Sequence, residues 1–113
     1  MKLYSKIYGS KDKDLIIIHG LFGMSDNWTS LGKKIAKYCK VHLIDLRNHG
    51  RSPHSEKFNY DVMCKDILEY INEHKIQKPI LLGHSLGGKI AMKVAFTSPS
   101  QIERLIVADI SPR

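Results

Sequence analysis

The stretch Gly83-His84-Ser85-Leu86-Gly87-Gly88-Lys89-Ile90 (GHSLGGKI, residues 83–90) fits two motifs at once. Read from Gly83 to Gly87 it is G-x-S-x-G, the sharp strand-to-helix turn that presents a nucleophilic serine. Read from Gly83 to Lys89 it is G-x-x-x-x-G-K, most of a phosphate-cradling loop. The first makes Ser85 an acyl-transfer nucleophile, and the second makes the chain a nucleotide binder. The residue after Lys89 favours the first. A phosphate loop needs Ser or Thr there to ligate magnesium, and Ile90 cannot ligate a hard cation. The segments VHLID and LIVAD each resemble an apolar strand ending in a magnesium-linked Asp, but such strands occur in any parallel sheet.

The surroundings of the motif supply the context that a serine elbow requires. PILLG (79–83) before it is a short apolar run, and Leu86, Ile90, Ala91, Val94 and Ala95 after it form a helical stripe that Pro99 ends. Similar runs occur at DLIIIHG, VHLIDL (41–46) and RLIVAD (104–109), and residues 2–8 read as a first strand with Leu3, Ser5 and Ile7 on one face. Continuous apolar runs suit strands buried on both faces of a parallel sheet. Trp28, Leu31 and Ile35 recur at helical spacing. Met63, Ile67, Tyr70, Ile71 and His74 line one face of a further helix, opposite Asp61, Lys65, Asp66, Glu69 and Glu73, with Asn59 or Asp61 as its cap. The order β, β, α, β, α, β, α, β predicts an α/β fold, a mostly parallel sheet with helices on both faces. Chemistry in such sheets gathers at the strand carboxyl ends, here HGLFG, DLRNHGRS, GHSLGG and ADISP.

Composition narrows the remaining classes. The chain has 113 residues, 42% hydrophobic and 26% charged, with a formal net charge of +7. Its basic residues are scattered, with no block or aromatic-interleaved stripe, so no nucleic-acid partner is expected. Cys39 and Cys64 match no metal or redox spacing and read as free thiols in a reducing, cytoplasmic setting. The opening MKLYSKIYGSKDKD has no apolar signal core, and no apolar run is long enough to span a membrane.

On the serine-elbow reading, Gly83 and Gly87 stand where side chains would obstruct the turn. The Leu86 backbone N–H lies at a helix N-terminus and can face a developing oxyanion. A second donor is expected from HGLFG, at Leu21 or Phe22.

IIIHGLFG, DLRNHGRSP, GHSLGGKIAM and LIVADISP together resemble the amino-terminal half of an α/β-hydrolase, more narrowly the YbfF-type esterase branch. The resemblance covers about residues 3 to 112. It implies hydrolysis of small-molecule acyl esters or thioesters through an acyl-enzyme at Ser85, without metal or organic cofactor. It also implies Asp109, in the DISP segment, as the catalytic acid; the other reading of Asp109 is a polar cap on the strand end.

The base is missing from this pattern. In the elbow family the histidine follows the acid, and all six histidines here precede Asp109. His19 is expected to brace the loop after the second strand, His84 to point away from the Ser85 hydroxyl, and His49 to shape its own loop, as the least implausible substitute base. His42 and His54 read as surface or loop residues, and His74 as packed against the sheet. Lys89 should be carried to a flank of its helix, and Arg47, Gly50 and Ser52 should stabilise the loop after the third strand. Phe22, Met24 and Trp28 could line an acyl pocket, but core packing is the commoner fate of such residues. A fold of this class commonly needs about 200–250 residues. Residues 1–113 are therefore expected to be one partial domain, without the carboxy-terminal strands, lid and histidine loop. Its last strand would expose an edge open to strand association. A nucleotide-binding domain and a non-catalytic interaction fragment are the alternatives.

Overall fold

The computed structural model describes residues 1–21 and 23–108. Its strands are β1 (Ser5–Tyr8), β2 (Asp14–Ile18), β3 (Lys40–Ile44), β4 (Ile80–His84) and β5 (Arg104–Ala108). Its α-helices are α1 (Thr29–Ile35), α2 (Tyr60–Glu73) and α3 (Leu86–Thr97). The strands form one five-stranded sheet in the order β1-β3-β2-β4-β5, parallel except for β1, which pairs antiparallel with β3. This is the mostly parallel α/β sheet that the alternating pattern predicts.

The apolar run of β2 serves both faces by simple alternation. Ile16 and Ile18 join the larger core, built with Ile44, Leu46 and Leu81 against Met63, Ile67 and Ile71 of α2 and Ile90 and Val94 of α3. Leu15 and Ile17 turn to the other side, with Val41 and Leu43, under Trp28 and Ile35. On that side Leu31 is 39% exposed, and Gly32 takes the buried position in its place. A Cβ at Gly32 would meet only the Leu43 side chain, at 3.3 Å. The bare backbone lets α1 lie close on β3. Trp28 itself ends a 3-10 turn, Ser25–Trp28, that precedes α1. In β1, Leu3 lies just before the strand in the core, whereas Ile7 is exposed.

The α2 start is capped by Asn59, whose side-chain oxygen accepts the Val62 N–H at 2.9 Å. Two α2 residues depart from their expected places. Asp66 is buried and not on the solvent face, because Arg47 reaches it with two hydrogen bonds of 2.7 and 2.9 Å. That bond holds the Arg47 guanidinium above its usual pKa. His74 is exposed and not packed on the sheet; its ring stacks on Tyr70 at 3.9 Å.

His42 also departs from expectation. It is buried in the middle of β3, with Nε2 2.7 Å from an Asp14 oxygen and Nδ1 2.8 Å from the Tyr70 hydroxyl. Polar partners on both ring nitrogens make this burial tolerable. The Tyr70 hydroxyl is also hydrogen-bonded to Ser5. Burial pushes the Tyr70 pKa up to about 12.

The last strand, β5, is not buried. Leu105, Ile106 and Val107 are 36%, 44% and 42% exposed. Among the described residues β5 pairs with β4 along one edge, and α3 lies against it only in part, at Gly88 and Val107.

At the other end of β4 the fold depends on direct backbone packing. A Cβ at Gly87 would lie 2.1 Å from the Ile18 carbonyl oxygen, and one at Gly83 would lie 2.3 Å from the Gly87 carbonyl oxygen. Both are rigid obstacles. Gly87→Ala is therefore expected to cost about 3 kcal/mol in equilibrium denaturation, whereas Gly32→Ala, which meets a movable side chain and gains helix propensity, shifts stability by less than about 1 kcal/mol. Burial is also the main force lowering the pKa values of His19 and His42 from 6.5. Their folded pKa values lie below the unfolded one, so unfolding takes up protons as pH falls through 6.5. Stability is full above that value and declines below it, by up to about 1.4 kcal/mol per pH unit for each histidine. Denaturation midpoints at pH 7.5 and 5.5 check this, and His42→Asn should flatten the decline.

Candidate active site

Ser85 occupies the single residue between β4 and α3, with φ 56° and ψ −116°. A positive φ is costly for a residue with a Cβ. The turn is forced here because Gly83 packs on Gly87 and Gly87 packs on the end of β2, leaving no room for a wider bend. The Ser85 side chain is exposed. It lines a cavity of about 450 Å³ with Leu21, Leu86, Met92, Val107, Tyr60 and Lys89. The structure therefore brings Ser85, Leu86 and Leu21 to one cavity. Asp109 and Phe22 lie outside the described residues.

The Leu86 N–H is at the first position of α3, among the groups that have no acceptor within the helix. The loop after β2 runs directly alongside: a Cβ at Gly20 would lie 3.3 Å from the Ser85 Cβ. That loop is tied down at the Gly20 carbonyl, which accepts the Gly23 N–H at 3.0 Å and the His19 Nδ1–H at 2.7 Å. His19 Nε2 in turn accepts the Leu46 N–H at 3.0 Å, so one buried imidazole links the loops after β2 and β3. This matches the bracing role expected of it. Accepting the Leu46 N–H at Nε2 requires the neutral ring, which agrees with the pKa that burial lowers.

The loop after β3 is organised by a residue that sequence reasoning passed over. The Asp45 carboxylate is buried and accepts the Ser25 N–H at 2.5 Å and the Arg51 N–H at 3.0 Å. Gly50, at φ 50°, crowds it so closely that a Cβ would lie 2.4 Å from Asp45 Oδ2. Gly50, five residues after Asp45 and within NHGRS, was the available signal. Ser52 Oγ donates to the Asp45 carbonyl and accepts the Tyr4 N–H at 2.8 Å, joining this loop to the chain before β1. Arg47, Gly50 and Ser52 thus act on the loop as expected. The carboxylate of VHLID is occupied by amides, and Ile90 is buried in the core; neither suits the magnesium chemistry of a phosphate loop.

The other histidines are placed elsewhere. His84 lies edge-on to Trp28 at 5.7 Å and lines a separate hollow with Trp28 and Asn27. His49 is buried, donates from Nδ1 to the Arg47 carbonyl at 2.8 Å, and lies 5.0 Å from the His19 ring. Of the candidates for an acyl pocket, Trp28 and Met24 take other places. Trp28 packs on His84, and Met24 lines a neighbouring cavity with His49 and Phe58; neither lines the Ser85 cavity, whose apolar walls come from Leu21, Leu86, Met92 and Val107. Lys89 is not carried to a remote flank. Its N–H bonds the Ser85 carbonyl at 3.2 Å in the first turn of α3, and its side chain lines the cavity.

Among the described residues no helix is long and apolar enough to cross a membrane. Residues 14–112 match the family described as alpha/beta hydrolase fold. A Haemophilus influenzae protein named for esterase/lipase activity is 48% identical over 98 residues, a match covering 87% of this chain and 34% of that protein. The sn-1-specific diacylglycerol lipase ABHD11 of Danio rerio is 46% identical over 100 residues, covering 87% of this chain and 32% of the lipase. Among solved structures, a marine microorganism esterase is similar with a TM-score of 0.94 and 42% identity, covering 98% of this chain and 42% of that one. The chain thus spans about a third of the length of the curated relatives it matches. With four parallel strands, an elbow between β4 and α3, and this match along nearly all its residues, the chain belongs to the α/β-hydrolase family.

Proposed function

We propose that the chain is the nucleophile-bearing part of a serine hydrolase of carboxylic esters, in the YbfF-type branch, and that it forms a single partial domain. The observation that carries this reading is Ser85 itself: an exposed hydroxyl at a strained positive φ, on a cavity with apolar walls, at the start of a helix. Strain of this kind persists where surrounding structure enforces it, and it clusters at active sites. The relatives named as esterases and lipases support the same substrate class.

In the proposed reaction the Ser85 Oγ attacks the acyl carbon as its proton passes to a general base. The carbonyl π electrons move to oxygen, and the resulting oxyanion is met by the Leu86 and Leu21 N–H groups. Collapse expels the alcohol or thiol, which leaves with the proton, and a water molecule then releases the acid from the acyl-serine by the same path. Asp109 is the proposed acid that orients the base. None of the six histidines lines the cavity beside Ser85, so the base is proposed to come from outside residues 1–113. No metal or organic cofactor enters this scheme.

The bare edge of β5 favours a second, non-catalytic reading, association with another strand through Leu105–Val107. A monomer whose sedimentation does not change with concentration counts against it.

The test of the hydrolase reading is covalent labelling. A chimera joining this chain to the carboxy-terminal part of the Danio rerio lipase is expected to take an alkyl fluorophosphonate at Ser85, located by peptide mass spectrometry. The Ser85→Ala chimera should take none, and the 113-residue chain alone should react at least about 10³-fold more slowly, as nucleophiles deprived of their base do. Labelling elsewhere, or none in a folded chimera, defeats the proposal.

A further inference from the structure

The Ser85 cavity has a charge asymmetry that ester chemistry alone does not require. Its walls are apolar at Leu21, Leu86, Met92 and Val107, and its remaining side chains are the Tyr60 phenol and the Lys89 ammonium. Among the described residues it has no acidic lining. A lysine one turn further along α3, Lys93, is paired with Asp61 at 2.9 Å. Among the described residues no ion pair or hydrogen bond engages the Lys89 ammonium. The Lys89 N–H bonds the Ser85 carbonyl at 3.2 Å across the first turn of α3, and both side chains line the one cavity. The ammonium, on its four-carbon stem, therefore shares the cavity in which an acyl group seated on Ser85 would lie.

A pocket of this kind binds apolar groups through its walls and selects among them through its few polar groups. Among the described residues no counter-charge faces this ammonium, and an ammonium so placed attracts an anion and repels a cation. From this we infer that the preferred substrates are esters carrying an anionic group, a carboxylate or a phosphate, a few bonds from the scissile carbonyl, with Lys89 and the Tyr60 hydroxyl as its binding groups. Lysine is a compact point charge without the planar fork that favours carboxylates, so the site accepts either anion. The inference deepens the hydrolase reading and rests on it for the word substrate. The binding of the anion rests on the cavity alone.

The test separates the two. Trace acetylation of the 113-residue chain, read by peptide mass spectrometry, gives the reactivity of Lys89 against that of Lys93. Three probes are compared: ethyl hydrogen succinate, which carries a carboxylate; butyryl-glycerol 3-phosphate, which carries a phosphate; and diethyl succinate, which is neutral. Each anionic probe is expected to slow acetylation of Lys89 about threefold at saturation, the scale of an exposed ion pair, and to lose that effect in high salt. Diethyl succinate and the Lys93 position should show no change. The larger of the two anionic effects identifies which anion the site prefers. Equal slowing by the neutral probe, or no slowing by either anion, overturns the inference. In parallel, fluorophosphonate labelling of the chimera reads Ser85 independently. Labelled Ser85 with unprotected Lys89 leaves the hydrolase reading standing and removes the anion site; protected Lys89 with unlabelled Ser85 does the reverse.

Discussion

The contact on which everything else rests is backbone against backbone, where the first turn of α3 meets the end of β2. Gly87 lies against the Ile18 and His19 carbonyls, with Gly83 beneath it and Gly88 against Val107. No side chain fits at these places, so the helix axis comes down on the sheet at a separation that few sequences allow. The chain must then reverse from strand to helix within one residue. Ser85 takes that residue's positive φ because no other geometry joins the two elements. The exposed hydroxyl is thus a consequence of close packing on the opposite side of the turn.

A second set of constraints holds the neighbouring loops in register with that turn. Asp45 accepts two backbone N–H groups, His19 bridges Leu46 to Gly20, and Ser52 joins Tyr4 to Asp45. Each tie is buried or partly buried, and each uses a polar side chain to satisfy backbone groups that a loop would otherwise leave to water. The Arg47–Asp66 pair fixes the same loop to α2. Removing one member of such a pair strands the other charge, a larger loss than the pair's own net contribution. The three strand ends are held together before any substrate is considered, which is the condition for a preorganised site.

Much of this was legible in the residues. Apolar runs and helical stripes place β2, β3, β4, α2 and α3 within a residue or two, and the glycine spacing around Ser85 points to the turn. What escaped has a common cause. Periodicity tells which face of an element a residue occupies, but not which distant residue will meet it. His42 looks like a surface histidine until Asp14 and Tyr70 are brought to it, and Asp66 looks like a solvent residue until Arg47 arrives from another loop. The open edge of β5 was legible, but the exposure of its side chains was not: an apolar run implies neighbours, and among the described residues β5 has β4 along one edge and α3 against part of one face. Similarly Leu31 and Gly32 exchange roles because the demand for a close approach to Leu43 outranks the hydrophobic stripe.

The strain at Ser85 can be weighed against what holds it. A positive φ at a non-glycine residue costs on the order of 1–3 kcal/mol. Ile90 and Val94, on the buried face of α3, each contribute roughly 1.5–3 kcal/mol by leaving water. Those contacts form only when α3 is seated, and α3 can be seated only through the strained turn. Two such side chains suffice to offset the distortion, so the turn is stable without help from any hydrogen bond made by the serine hydroxyl. A side chain released from structural duty in this way is available for chemistry. The same reasoning distinguishes Ser85 from His19 and Asp45, whose ring nitrogens and carboxylate oxygens are each committed to a hydrogen bond that holds the loops.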